Sequence, residues 1–122
     1  MQESGENYLE TILLLEQKIG FVRSVDIAIE LGYSKPSVSR AVSLLKKDQY
    51  IVMEESGRIS LTEKGRAEAN RIYERHRLIT SYFVKTLGIA EEEAVKNACR
   101  IEHIISQELF EEIKEFVLRG RQ

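Results

Sequence analysis

Two groups of residues in this chain have the types and spacing to do chemistry. In the C-terminal third, Cys99, Glu102 and His103 stand at i, i+3 and i+4. On a helix that spacing gathers a thiol, a carboxylate and an imidazole within about 100° of arc, a donor mixture suited to a divalent metal ion. The same residues read equally well as a small packing cysteine beside a surface Glu–His pair. His76 falls on an apolar helical stripe, where it is either a core histidine with a satisfied ring or a fourth ligand.

The second group is Ser34, Lys35, Pro36, Ser37, Ser39 and Arg40, small or polar side chains at the start of a short helix. That is where a recognition helix meets base edges in a DNA major groove. Arg40 can donate two hydrogen bonds to guanine, the serines can reach phosphates or either base edge, and Pro36 can touch a thymine methyl. Arg58, Lys46 and Lys47 are placed for the DNA backbone. The competing reading is a protein-binding adaptor in which the serines are helix caps and the charges are solvated.

The elements that must position these groups follow from periodicity. Tyr8, Leu9, Ile12, Leu13 and Leu15 predict a support helix from about Glu6 to Lys18. Ser24 reads as the cap of a short helix through Ile27, Ala28 and Leu31 that Gly32 ends. Ser34 caps the next helix, with Pro36 in its first turn and Val38, Val42, Leu44 and Leu45 as its apolar stripe to about Lys47. Helix, tight turn and helix are then followed by a hairpin, Tyr50–Met53 and Ile59–Leu61 around the turn Glu55–Arg58, which reads as a wing. Thr62 caps a long helix to about Leu87, with Ile72, His76, Ile79 and Phe83 on one stripe. Glu91, Glu92 and Glu93 open a helix to about Ile105, and Ser106 caps a last one ending at Gly120.

The predicted fold is therefore mainly α: a winged helix-turn-helix DNA-binding domain over 1–70, then a helical metal-binding and dimerisation domain over 71–122. Ile101, Ile104, Ile105, Leu109 and Phe110 offer more apolar surface than one small head covers, which predicts a homodimer. The net charge of −2 hides an uneven distribution. Phe21 to Lys85 carries 12 Lys and Arg against 8 Asp and Glu, while the segments on either side are acidic. A basic middle is compatible with a polyanion partner without requiring one.

Other classes drop out. No apolar run approaches the roughly 20 residues that span a bilayer, and the acidic start MQESGENYLE is unlike a signal peptide, so a cytoplasmic location with no membrane partner is expected. The single cysteine makes no internal disulfide. With no nucleophile–base motif, phosphate loop or zinc-protease helix, the chain reads as a non-enzyme without a small-molecule substrate. A thiol-redox regulator working through Cys99 is the remaining alternative to a metal sensor.

Four segments together resemble the iron- and manganese-dependent repressors, the diphtheria toxin repressor and manganese transport regulator family. They are Glu6-Asn7-Tyr8-Leu9-Glu10, Ser34 to Arg40, Arg75-His76-Arg77-Leu78, and Ala98-Cys99-Arg100-Ile101-Glu102-His103. The resemblance implies a dimer with two-fold related recognition helices on palindromic operator DNA, switched by a divalent metal. Its implied ligands are Glu10, His76, Cys99, Glu102 and His103, with Asn7 standing where the manganese type has aspartate and the iron type methionine. Cys99 matches the iron-type pattern and Glu10 the manganese type. Fe²⁺ is the favoured ion, because a thiolate suits iron better than manganese, and Mn²⁺ is the alternative. Thr80 and Val95 replace residues expected in the iron-type ancillary site, which is expected to be lost or rebuilt. Since the chain ends at Gln122, it is expected to be a short form without the SH3-like domain of longer members.

Overall fold

The computed structural model describes residues 3–120. Its elements in order are α1 (Glu3–Ile19), α2 (Ser24–Leu31), α3 (Lys35–Lys47), β1 (Ile51–Met53), β2 (Ile59–Leu61), α4 (Glu63–Tyr82), a wider π-type turn (Phe83–Leu87), α5 (Glu91–Ile101) and α6 (Gln107–Arg119). Two compact units divide between Asn70 and Arg71. Among the described residues, no helix is long and apolar enough to cross a membrane.

In the first unit α1 packs on α2, α3 and β2, while α3 packs on α2 and β1. Leu9 and Ile12 of α1, Ile27 of α2, Val38 and Val42 of α3, and Ile51 and Ile59 of the strands are all buried. The pattern follows the predicted stripes, with one correction. Leu44 is 56% exposed, since the apolar arc of α3 is completed by Leu45 and leaves its neighbour facing outward.

Local chemistry sets the element ends. Gly32 takes φ 69° after α2, a left-handed conformation that a side chain resists, and the chain turns into α3 within three residues. The cap of α2 is Arg23 and not Ser24: the Arg23 amide donates to the Asp26 carboxylate at 2.9 Å, and Ser24 is already the first helical residue. Ser34 caps α3 as expected, accepting the Ser37 amide. β1 and β2 pair antiparallel with Val52 opposite Ser60, and Ile59 also donates its amide to the Val22 carbonyl at 2.8 Å. The hairpin is thus edged by the Phe21–Arg23 segment. After β2, the Thr62 hydroxyl accepts the Gly65 amide and donates to the Gln49 carbonyl.

In the second unit Ile79, Ala98, Phe110 and Ile113 form the core, with Leu78, Tyr82, Phe83, Ile101, Ile105 and Val117 packed against them. Two predicted helices are shorter than expected. The long helix keeps α geometry only to Tyr82 before the π-type turn, and α5 stops at Ile101, with residues 102–105 forming a turn. Phe110 belongs to this core, so of the apolar residues assigned to a dimer surface Ile104 and Leu109 are the exposed ones.

Candidate metal centre and nucleic-acid interface

His76 comes from the fourth turn of α4, Cys99 from the last turns of α5, and Glu102 is the C-cap of α5. Their ligand atoms all lie within 4.8 Å of one another. Nδ1 of His76 is 2.9 Å from Oε2 of Glu102 and 3.8 Å from Sγ of Cys99. Glu102 is only 2% exposed, yet among the described residues its Oε1 makes no hydrogen bond. His103 Nε2 stands 3.3 Å from that oxygen, close enough for charge attraction but out of line for a hydrogen bond. A buried carboxylate oxygen in that position is costly without a strong partner.

The protonation states follow from this crowding. The contact with Cys99 first, and then the hydrogen bond to Glu102, push the His76 imidazole up to about 10, against the opposing effect of its burial. Burial pushes the Glu102 carboxyl up, but the contacts with His103 and His76 prevail and hold it below its usual range. Without an ion the site therefore holds a proton on His76 as counter-charge to Glu102. One sulfur, one imidazole nitrogen and one carboxylate group, with a carboxylate oxygen still open, fit a divalent transition ion that replaces that proton.

The predicted ligands are divided between the two units. His103 lies in the turn after α5 rather than on the helix, so the i, i+3, i+4 arc holds for Cys99 and Glu102 but not for it. Its side chain is almost fully buried beside Glu102. Glu10 and Asn7 are on α1 of the other unit, Glu10 buried and Asn7 accepting the Thr11 hydroxyl on its backbone carbonyl.

The residue that sequence reasoning missed is Arg75. It is buried on α4, where Nη1 donates to the carbonyls of Glu102 at 2.9 Å and Ile105 at 3.3 Å, and Nη2 donates to Oε1 of Gln107 at 2.7 Å. Its guanidinium also stacks 5.0 Å from the Phe110 ring centroid. Arg75 thus clamps the turn that presents Glu102 and His103. A signal was present: Arg75 sits between Ile72 and Ile79 in the phase of the buried stripe, where a cation needs acceptors.

In the first unit Ser34, Lys35, Pro36, Ser37, Ser39 and Arg40 are exposed along the start of α3, while Val38 points into the core. The Ser34 hydroxyl donates to that of Ser37 at 2.9 Å. Arg58 is exposed at the end of the wing turn, its guanidinium 5.3 Å from the Phe21 ring centroid. Lys46 and Lys47 are exposed in the last turn of α3.

Comparison with known proteins bears on both sites. Residues 1–58 match the N-terminal DNA binding domain of the iron dependent repressors, and residues 62–120 match their metal binding and dimerisation domain. An uncharacterized HTH-type transcriptional regulator of Methanocaldococcus jannaschii is 33% identical over 118 residues, which is 96% of this chain and 94% of the relative. The HTH-type transcriptional regulator MntR of Geobacillus kaustophilus is 35% identical over 114 residues, 93% of this chain and 80% of the relative. The solved structure of the manganese regulator SloR aligns with a TM-score of 0.82 at 27% identity over 93% of this chain and 53% of its own. The chain thus spans about half the length of that structure.

Proposed function

The chain belongs to the iron-dependent repressor family, that of the diphtheria toxin repressor and manganese transport regulator, and from this premise we propose how it senses metal and reads DNA. As a member it is a metal-dependent, DNA-binding transcriptional repressor and not an enzyme. In our reading residues 1–70 bind DNA, and residues 71–122 bind metal and dimerise. The dimer, loaded with Fe²⁺ or else Mn²⁺, occupies palindromic operator DNA in the cytoplasm and controls genes of metal homeostasis.

The observation that carries this reading is the meeting of sulfur, nitrogen and buried carboxylate oxygen from His76, Cys99 and Glu102 within 4.8 Å. We assign these three as ligands together with His103, and on the resemblance alone we add Glu10 and Asn7. A bound divalent cation supplies the positive charge that lets neutral imidazole, thiolate and carboxylate share one corner. The protein's own part is to lose the His76 proton, to keep Glu102 dry, and to hold the Glu102–Ile105 turn through Arg75. Ligands from segments distant in the chain couple occupancy to DNA competence, and couplings of about 1 to 3 kcal/mol are typical for such switches.

On the DNA side, Arg40 reads a base, Ser34, Lys35, Pro36, Ser37 and Ser39 line the contact, and Arg58 meets the backbone. Exposure of all of them, with Val38 anchored below, supports this assignment. The preference for iron rests on the Cys99 thiolate, a soft ligand. Against it, the structurally similar SloR is described as a manganese regulator. Operator binding by wild type and Cys99→Asp, under anaerobic Fe²⁺ and under Mn²⁺, decides between the two ions. Loss of the iron response with a spared manganese response supports iron, and an unchanged pair of responses removes the thiol from the site.

A further inference from the structure

We infer that a cavity of about 490 Å³ in the first unit, between the start of α1, the end of α3 and the start of α4, is a binding site for a small amphipathic zwitterion, an α-amino acid with an apolar side chain. Neither the metal reading nor the DNA reading above uses this site. Leu44 and Leu45 of α3 give it an apolar wall, Tyr8 and Tyr50 bring aromatic rings, and Asp48 and Lys64 bring one charge of each sign. Apolar walls of this extent with a few polar groups are the usual form of a small-ligand site. Leu44, 56% exposed and so outside the core, offers a seat for the ligand's side chain.

The two charges are held near each other without being paired. Nζ of Lys64 donates to the backbone carbonyl of Asp48 at 3.1 Å and lies 4.2 Å from the Tyr50 ring centroid. Among the described residues it makes no ion pair, and the Asp48 carboxylate has neither an ion pair nor a hydrogen bond. A neighbouring ammonium and carboxylate match the carboxylate and ammonium that an α-amino acid carries on one carbon. A simple carboxylic acid would be repelled by Asp48, and a simple amine by Lys64. Tyr8 is a second, independent sign. It is 5% exposed, yet its hydroxyl makes no hydrogen bond among the described residues, although a tyrosine so buried ordinarily finds a partner for that group. Burial, and then the nearby Tyr33, push its phenol up, so it stays a donor that suits a ligand carboxylate.

The probes are L-phenylalanine, hydrocinnamate, which lacks its amine, and phenethylamine, which lacks its carboxylate. Each is titrated by calorimetry into the full-length chain without metal, since an amino acid would chelate the ion. Saturable binding of L-phenylalanine is expected with a Kd of about 0.1 to 1 mM, and each analogue should bind about five- to tenfold more weakly. Asp48→Asn should lower L-phenylalanine to the level of hydrocinnamate and leave hydrocinnamate no weaker. Tyr8→Phe removes a hydroxyl that has no partner in the fold, so Tm should stay as in wild type while L-phenylalanine binds about threefold more weakly. No saturation below about 10 mM, equal binding of the three probes, or an Asp48→Asn chain that keeps its preference for L-phenylalanine overturns the assignment.

Discussion

The two units keep their chemistry in opposite settings. In residues 1–70 the side chains proposed to meet DNA stand exposed on α3 and the wing, and Val38, Val42, Ile51 and Ile59, buried in the same elements, are apolar. In residues 71–122 an exposed Cys99 and a half-buried His76 meet the buried Glu102, and Glu102, His76, His103 and Arg75 depend on one another. An exposed functional residue can be exchanged with little effect on its neighbours, because water replaces whatever it loses. A buried charged one cannot, since its partners are left unsatisfied. Function and stability should therefore separate in the first unit and move together in the second.

The sharpest way to break this contrast is at Glu102. Glu102→Gln removes the charge that balances His76 and His103, and metal affinity should fall by about a hundredfold or more, beyond what loss of a supporting residue costs. Calorimetric titration with Mn²⁺ measures it, and retention of affinity would remove Glu102 from the ligand set. Arg75→Ala should come next. It strips the Glu102 and Ile105 carbonyls of their donor, costing about 2 to 4 kcal/mol of stability in thermal unfolding and about tenfold or more in metal affinity. Loss of one without the other would contradict the coupling.

How much of this was legible in the sequence differs between the units for the same reason. Ser34, Pro36, Gly32 and the hairpin turn act within a few residues of themselves, so helix, turn, helix and wing could be read from local pattern. Leu44 was misplaced because two adjacent leucines compete for one side of α3 and periodicity alone does not choose between them. The second unit depends on contacts between residues far apart in the chain. Arg75 bonds to carbonyls 27 and 30 residues away, and nothing local to it names those acceptors. The helix opened by Glu91–Glu93 is expected to run to about Ile105 and so to include His103, whereas α5 ends at Ile101 and the chain turns at Glu102.

A milder test uses pH. With its imidazole raised from 6.5 to about 10 in the folded protein, His76 contributes stability that is complete below pH 6.5 and fades as pH climbs toward 10. The metal-free chain should therefore show a falling Tm from pH 7 to pH 10, while apparent metal affinity rises over the same range because fewer protons compete. In a His76→Gln protein the part of the Tm slope due to this group should vanish. If wild type and His76→Gln give parallel curves, the proton is not held where the geometry puts it.

The smallest effects test the exposed unit. Ser34→Ala should cost about 1 kcal/mol through loss of the α3 cap, whereas Ser24→Ala should cost no more than about 0.3 kcal/mol because Arg23 and Asp26 close that helix end. Equal losses in urea unfolding would return Ser24 to the capping role.

Where β2 passes into α4, the Tyr50 carbonyl accepts the Thr62 amide and presses against the third residue of the helix. A β-carbon on Gly65 would stand 1.9 Å from that oxygen. In a saturation library screened for repression, position 65 should consequently tolerate no replacement, although it has no side chain, carries no charge and touches neither ligand. A selection map of this chain would then show, beside the expected peaks for operator and ion, a third peak that reports only how closely two stretches of backbone approach. A reader using such a map to locate function would need the structure to discount it.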